Sequence, residues 1–321
     1  MLRYLARRAL WAAGLFVVVT IVTYVIFFLI PVDPAKQACG QRATQTCIGL
    51  ARHTLGLDKP MVVQYGRFLW RLTYHHDLGR SFITRQSVNK TVLNAAPVTA
   101  SVAIGGLVIM LLIAFPVGIL SALRPRSKLD RGAMTFTLAS ISLPTFWVGL
   151  VAAYLVGFKL GLTPIAGYCD MINPATDCGG PVQWAWHLVL PWTVFALHHS
   201  AYYIRMIRAT LMETLAEDYV KVARAKGAPE VRVLGGHALR NAVLPIVTML
   251  GMDLGFVLGG LFFLEYVFAL PGLGNTALDS ITTFDLPVTM GVVIFGTLTI
   301  LVANLLVDLL YAVIDPRIRL A

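Results

Sequence analysis

Six stretches of the chain are apolar all the way round for roughly twenty residues or more, and the polar positions gather between them. The stretches run over Ala9–Ile30, Val98–Leu123, Ala133–Leu160, Leu188–Ile204, Ala242–Leu270 and Pro287–Ile314. A helix that is apolar on every face is buried in a large core or in lipid. At about 1.5 Å per residue, twenty residues cover a hydrocarbon layer about 30 Å thick. The pattern predicts an all-α integral membrane protein with six transmembrane helices. The fourth stretch departs most from the pattern, because Pro191 and the pair His198-His199 lie inside it. In the third, Ser140, Ser142, Pro144 and Thr145 mark a place where the helix can kink.

Composition agrees. The 321 residues are 57% hydrophobic and 13% charged, with a mean hydropathy of +0.74. Soluble domains carry about 25% charged residues. The net charge of +10 does not imply nucleic acid, since the basic residues are distributed between the apolar stretches rather than along one polar face. They set orientation instead. Arg3, Arg7 and Arg8 precede the first span, and Arg124, Arg126, Lys128 and Arg131 follow the second. Arg205 and Arg208 follow the fourth, and Arg317 and Arg319 follow the sixth. With six spans these segments share one side, so both termini are expected in the cytoplasm. The short loops opposite hold only Lys159.

The first span has the positive start of a secretory signal, but it is too long for one and no small-x-small cleavage site follows. Lys36, three residues before Cys39, does not suit a lipoprotein site. The span reads as a retained anchor. The division that follows is an anchor helix at 1–30, an extracytoplasmic segment at 31–97, a five-helix core at 98–314 and a cytoplasmic tail at 315–321.

The cysteines are Cys39, Cys47, Cys169 and Cys178, all in loops expected outside, where disulfides persist. Four cysteines allow three pairings. The two short-range pairs are the simplest, with free thiols or pairing across the loops as the alternatives. No C-x-x-C spacing points to zinc, and no metal is expected. Within 31–97, Val62, Tyr65, Leu69 and Leu72 repeat at helical spacing behind Asp58 and Pro60. That predicts an amphipathic helix, open to three uses: lying at the membrane surface, packing on a partner, or covering the protein's own spans. His75-His76 has no second ligand pair and reads as solvated or hydrogen-bonded.

No phosphate loop, G-x-S-x-G elbow or H-E-x-x-H pair is present. No catalytic residues are assigned, and an enzyme is not expected. The informative polar stretch is YVKVARAKGAPEVRVLGGHALRNAVLPIVT, Tyr219–Thr248. Leu211, Leu215, Tyr219 and Val222 are helically spaced. Gly227 can end that helix at its C-cap. Pro229 can begin another, with Glu230 in its first turn and Val231, Val233 and Leu234 along it. The expected outcome is helix, tight turn, helix on the cytoplasmic face. Ala223, Ala225, Gly227 and Ala228 carry so little bulk that another surface can approach the backbone. The alternative is a basic loop anchored at lipid headgroups.

DYVKVARAKG followed by HALRNAVLPIVT resembles the cytoplasmic coupling loop of permease subunits of bacterial ATP-binding-cassette importers, within the dipeptide/oligopeptide/nickel branch. IPVDPA after the first span is similar to that family, as are DLGRSF at Asp77–Phe82, LPTFWVGL at Leu143–Leu150 and PGLG at Pro271–Gly274. So is the C-terminal NLLVDLLYAVIDPRIR. Each motif is weak alone, but their order along nearly the whole chain and their match to six spans are specific. The wider family opens the loop with Glu-Ala-Ala. Here Lys221 and Val222 stand before Ala223, so no glutamate is carried over.

The resemblance implies a multi-pass subunit of the bacterial inner membrane with the fold of type I importers. It implies a second, similar permease, two ATPase subunits below that hold ATP and Mg, and an extracytoplasmic binding protein above. No cofactor is expected on this chain. The coupling loop at 205–241 is expected to receive ATPase movement through Tyr219, Lys221, Ala223, Arg224, Lys226, Gly227, Ala228 and Pro229, with the three cations facing acids on the motor. Short peptides are the implied substrate. Nickel or another small solute is the nearest alternative, followed by a proton-coupled carrier.

Three polar residues in or near the spans are candidates for the translocation path. Asp253 lies deep in the fifth span, where a carboxylate costs roughly 2.5–3.5 kcal/mol. Either it lines the path and meets a peptide ammonium, or it has an internal partner such as His198 or His199. Glu265, near the outer end of that span, is expected exposed at a gate. Asn304 shares a helix face with Asp308, which suits interhelical hydrogen bonding.

Overall fold

The computed structural model of the chain describes residues 2–29, 33–40, 43–55, 57–172 and 178–314. The expected tail at 315–321 lies outside the described residues, as does the side chain of Asp308. The described chain is helical: α1 (Leu2–Leu29), α2 (Pro34–Cys39), α3 (Gln45–Leu55), α4 (Met61–Trp70), α5 (Val88–Leu123), α6 (Lys128–Ser142), α7 (Thr145–Ala152), α8 (Pro181–Ala216), α9 (Asp218–Ala225), α10 (Glu230–Arg232), α11 (Leu239–Gly260), α12 (Phe262–Val267), α13 (Leu273–Thr282) and α14 (Leu286–Ile314). Wider π turns at Arg71–His75, Ala153–Lys159 and Val233–Ala238 extend α4 and α7 and join α10 to α11. Extended pairing among the described residues amounts to isolated bridges, Arg80 with Ser87 and Asp170 with Gly179.

By length and apolarity, two described helices can cross a membrane, Val88–Leu123 and the Leu286–Leu306 portion of α14. Two bent pairs qualify when each is taken as one span: Lys128–Ser142 with Thr145–Lys159, bent by 103°, and Glu230–Val243 with Pro245–Gly251, bent by 42°. The first bend is written in the sequence. Proline pushes the preceding residue out of the helical region, and Leu143 is extended at φ −102, ψ 131. The third stretch, Ala133–Leu160, is therefore two arms, bent at the place that Ser140, Ser142, Pro144 and Thr145 mark. The fifth stretch ends early as well, because α11 stops at Gly260 and α12 is a separate short helix. The second begins ten residues before Val98, with Pro97 inside it.

The contacts divide the chain into two compact units. The first holds residues 1–99, 258–262 and 271–321. In it α1 and α13 both pack along α14. Val88, Val92 and Ala95 of α5 meet Leu273, Ala277, Val288 and Val292 in one core. A second core joins Tyr24, Phe68, Met290 and Ile294, with Tyr65 and Leu72 against it. The Tyr65–Phe68–Leu72 face of α4 thus covers the chain's own helices α1 and α14, while Val62 is 81% exposed. The DLGRSF turn is fastened from within: Ser81 Oγ donates to the Asp285 carboxylate, and Phe82 N–H donates to Asp285 Oδ1 at 3.1 Å. Ser81 and Asp285 are both buried.

The second unit holds residues 100–257 and 263–270. Its core gathers Met110, Ala114, Ala133, Ala196, Tyr203, Ile204, Ile207 and Ile246. Helices α5 and α8 lie close, as interfaces rich in small residues allow. A Cβ at Gly105 would fall 2.2 Å from Trp192, and one at Gly118 would fall 2.8 Å from Ile207. Trp192 Nε1 also donates to the Ser101 carbonyl at 2.9 Å.

Candidate functional site

Below α8 the chain makes the expected helix, turn and helix, with different boundaries. One helix was expected from Leu211 through Arg224. Instead α8 ends at Ala216, Glu217 is extended (φ −67, ψ 148), and α9 begins at Asp218. The break lets α9 pack against both α8 and the 233–238 turn, where Val220 and Val233 are fully enclosed. It also dissolves the apolar face that spacing placed along Leu211, Leu215 and Val222. Leu211 is buried and Val222 is 51% exposed. Nor is the second helix short, since α10 runs on through the π turn into α11.

The turn itself is a Schellman cap. Ala228 N–H donates to the Ala223 carbonyl at 3.2 Å and Gly227 N–H to the Arg224 carbonyl at 2.9 Å. That motif needs a left-handed residue at C′, and Gly227 supplies φ +77. Arg224 then clamps the turn, with Nη2 on Glu230 Oε1 at 2.5 Å and Nε on Oε2 at 3.3 Å. The Arg224 hydrogen bond holds the Glu230 carboxyl below the usual range, and Glu230 in turn raises the guanidinium. Lys221 Nζ bonds Asp218 Oδ1 at 2.9 Å. Two of the three cations expected to face an outside acid therefore have partners within the chain. Exposed pairs of this kind contribute little to stability. Lys226 makes no ion pair among the described residues.

Among the exposed groups of this surface are Tyr219, Val222, Ala225, Lys226, Gly227, Pro229 and Val231, while Ala223 and Ala228 are half-buried. Tyr219 is fixed by its hydroxyl, which accepts from Asn241 Nδ2 at 2.7 Å. Val231, 86% exposed, was not singled out from the sequence as a contact. Its only signal there is an apolar residue in the first turn after Pro229.

The residues deeper in the chain separate. Asp253 has an internal partner, and it is Tyr203 rather than either histidine. The Tyr203 hydroxyl donates to Asp253 Oδ2 at 2.6 Å. His199 uses Nδ1 on the Phe195 carbonyl at 3.1 Å instead. Glu265 is fully buried, against the expectation of an exposed gate residue. It belongs to α12, whose Leu264 and Val267 pack over Gly149 of α7. Asn304 is exposed on α14.

Both short-range disulfides are present, Cys39–Cys47 and Cys169–Cys178. His187 Nδ1 lies 3.2 Å from Cys169 Sγ. The two sulfurs and the imidazole lie within 4.8 Å of one another, but bridged sulfurs are not thiolate ligands. Each bridge closes a loop of about nine residues, for which the chain-entropy model gives about 2.5 kcal/mol. Replacing Cys39 and Cys47 together by serine should lower the melting temperature of the purified chain. Peptide mapping without reductant should still find Cys169 joined to Cys178; mixed pairs in the wild type would contradict the assignment.

One buried ion pair has no sequence signal. Asp130, 3% exposed, accepts from Arg208 Nε at 2.6 Å and Nη2 at 3.0 Å, and from Arg126 N–H at 2.8 Å. The residues sit 78 positions apart, and in sequence each reads as one more charge at a span end.

Comparison with known proteins covers almost the whole chain. Residues 114–320 match the family of the binding-protein-dependent transport system inner membrane component. Residues 1–103 match the N-terminal family of the same membrane component. The dipeptide transport system permease protein DppB of Escherichia coli (strain K12) is 35% identical over 341 residues, 99% of each chain. The di/tripeptide transport system permease protein DppB of Pseudomonas aeruginosa is 36% identical over 335 residues, again 99% of each. A candidate peptide transport system permease of Brucella abortus is 36% identical over 313 residues, 98% of each chain.

Proposed function

The chain belongs to the family of inner membrane components of binding-protein-dependent transport systems, and from that premise we propose that it forms half of the path of an ATP-driven importer of short peptides. The reading of the substrate is supported by full-length similarity to proteins named as dipeptide and di/tripeptide permeases. The surface at Tyr219–Val231 supports the mode of action. It is capped, clamped and partly apolar, and a solvated loop gains nothing from exposing Val222 and Val231.

In this proposal the chain crosses the membrane six times, with both termini and the 205–241 loop in the cytoplasm. The crossings use α1, α5, the two arms around Pro144, α8, the α10–α11 run and α14. Helix α1, 28 residues long, is about 42 Å at 1.5 Å per residue. The segment at 31–97 faces the other side with its disulfide. A second permease completes the path, a binding protein delivers peptide, and two ATPase subunits carry ATP and Mg.

The ATPase surface seats Tyr219, Val222 and Val231, with Ala223, Gly227, Ala228 and Pro229 allowing close approach. Lys226 is the cation free to meet an acid there; Lys221 and Arg224 stiffen the turn from within. Asp253, held by Tyr203, faces the path, with Asn304 on the exposed flank of α14 as a further candidate.

Uptake of labelled dipeptide by a strain expressing this chain with its partner subunits tests the reading. Transport is expected only with functional ATPases and binding protein. Nickel uptake without dipeptide uptake overturns the substrate, and uptake that follows a proton gradient without the ATPases overturns the mechanism. For the path, Asp253→Asn should lower uptake of every substrate several-fold with assembly unchanged. Unaltered uptake removes Asp253 from the path.

A further inference from the structure

In the first unit, α4 and the DLGRSF turn enclose a cleft of about 880 Å³ with α1 and α14. Its wall is divided by chemistry. Tyr24, Val63, Phe68 and Met290 make one side apolar, and Arg67, Arg71 and Arg80 add three guanidinium groups. All three arginines are exposed, and none forms an ion pair among the described residues. The carboxylate of Asp77 also lines the cleft, but it accepts from Gly79 N–H at 2.9 Å. The fixed charge of the cleft is thus about three positive against one negative.

The position of the cleft on its helices selects the kind of anion. It meets α1 at Tyr24, five residues from that helix's end, and α14 at Leu286–Met290, its first turn. Further along, the same two helices turn large apolar groups outward: Leu10, Trp11, Leu15 and Val18 on α1, and Leu298, Val302 and Leu306 on α14. Such surfaces suit acyl chains, so the cleft lies where hydrocarbon gives way to headgroups. Trp70 and Tyr74 stack with ring centroids 3.9 Å apart and are 55% and 67% exposed. Exposed Trp and Tyr favour that same depth. A soluble anion would need the arginines but not the apolar wall.

We propose that the cleft binds an anionic phospholipid, with the phosphate on Arg67, Arg71 and Arg80 and an acyl chain along Val63, Phe68 and Met290. Guanidinium groups suit phosphate because they offer paired donors. Each basic residue near an anionic lipid surface contributes about fivefold in affinity.

The test uses the full chain purified in detergent and titrated with phosphatidylglycerol or phosphatidylcholine under native mass spectrometry. The wild type should retain phosphatidylglycerol at least tenfold better. The single variants R67Q and R71Q should lose about fivefold each, and the triple variant R67Q/R71Q/R80Q should lose the preference entirely. Arg131→Gln, an exposed arginine of the other unit, should change nothing. Because the cleft arginines are exposed, the single variants keep the fold and report even if the triple variant does not. Equal binding of the two lipids by the wild type, or an unchanged preference in the single variants, overturns the proposal. So does displacement of phosphatidylglycerol by millimolar inorganic phosphate, which would mean a plain anion site.

Discussion

Gly227→Trp abolishes ATP-driven uptake and retention of the ATPase subunits, while the chain still inserts at normal levels. Three observations combine in that expectation. The Schellman cap needs φ +77 at this position, a conformation that costs a non-glycine residue about 1–3 kcal/mol. A Cβ there meets nothing within 4 Å, so the indole is not forced into the chain's own core. Its bulk must project from the turn, onto the surface proposed to seat the motor. Gly227→Asn separates the two effects, since asparagine tolerates the left-handed region and adds little volume. That variant should keep most of its uptake. Membrane fractionation, co-purification and dipeptide uptake read the three properties separately. Normal uptake by the tryptophan variant removes the coupling role from this turn.

The second large effect is expected at Asp130. Asp130→Ala leaves Arg208 without its carboxylate and Arg126 N–H without an acceptor. Breaking a buried pair from one side costs about 3–5 kcal/mol, and the lower end applies because Arg208 is 25% exposed. The pair joins α6 to α8 two turns before α8 gives way to α9. The melting temperature should fall by several degrees and uptake should fall with it. A melting temperature that is the same in both proteins at pH 7 counts against the pair.

Much of the fold is legible in the sequence because lipid imposes one rule along long windows. Uniformly apolar runs locate the helices, and Pro144 marks the break between α6 and α7 through its effect on Leu143. Gly227 is equally legible, since a glycine after a periodic stretch and before proline is a C-cap signal. What stays hidden depends on contacts distant in sequence. Asp130 and Arg208, or Ser81 and Asp285, look like ordinary polar residues until folding brings them together. The extended Glu217 falls inside a pattern that reads as continuous helix, because the packing of Val220 outweighs local spacing. Asp253 shows a third case. Its isolation in an apolar run flags it as needing a partner, but a tyrosine and two histidines are all one or more helices away in sequence, and only the packing of α11 on α8 selects Tyr203. Glu265 misleads for a related reason: its place near the end of an apolar run suggests exposure, but helix α11 ends five residues before it and Glu265 belongs to the separate, packed α12.

The close seating of α8 on α5 bears on how this chain can vary over time. The indole of Trp192 occupies the space a side chain at Gly105 would need, and it also donates to the Ser101 carbonyl. Alanine at 105 requires the indole at 192 to shift or give way to a smaller ring, and a ring without that N–H gives up the cross-helix hydrogen bond. Neither position can drift alone. In descendants of this chain the two are expected to change together or not at all, so a lone exchange at either one would mark a lineage that has redrawn the spacing of these helices.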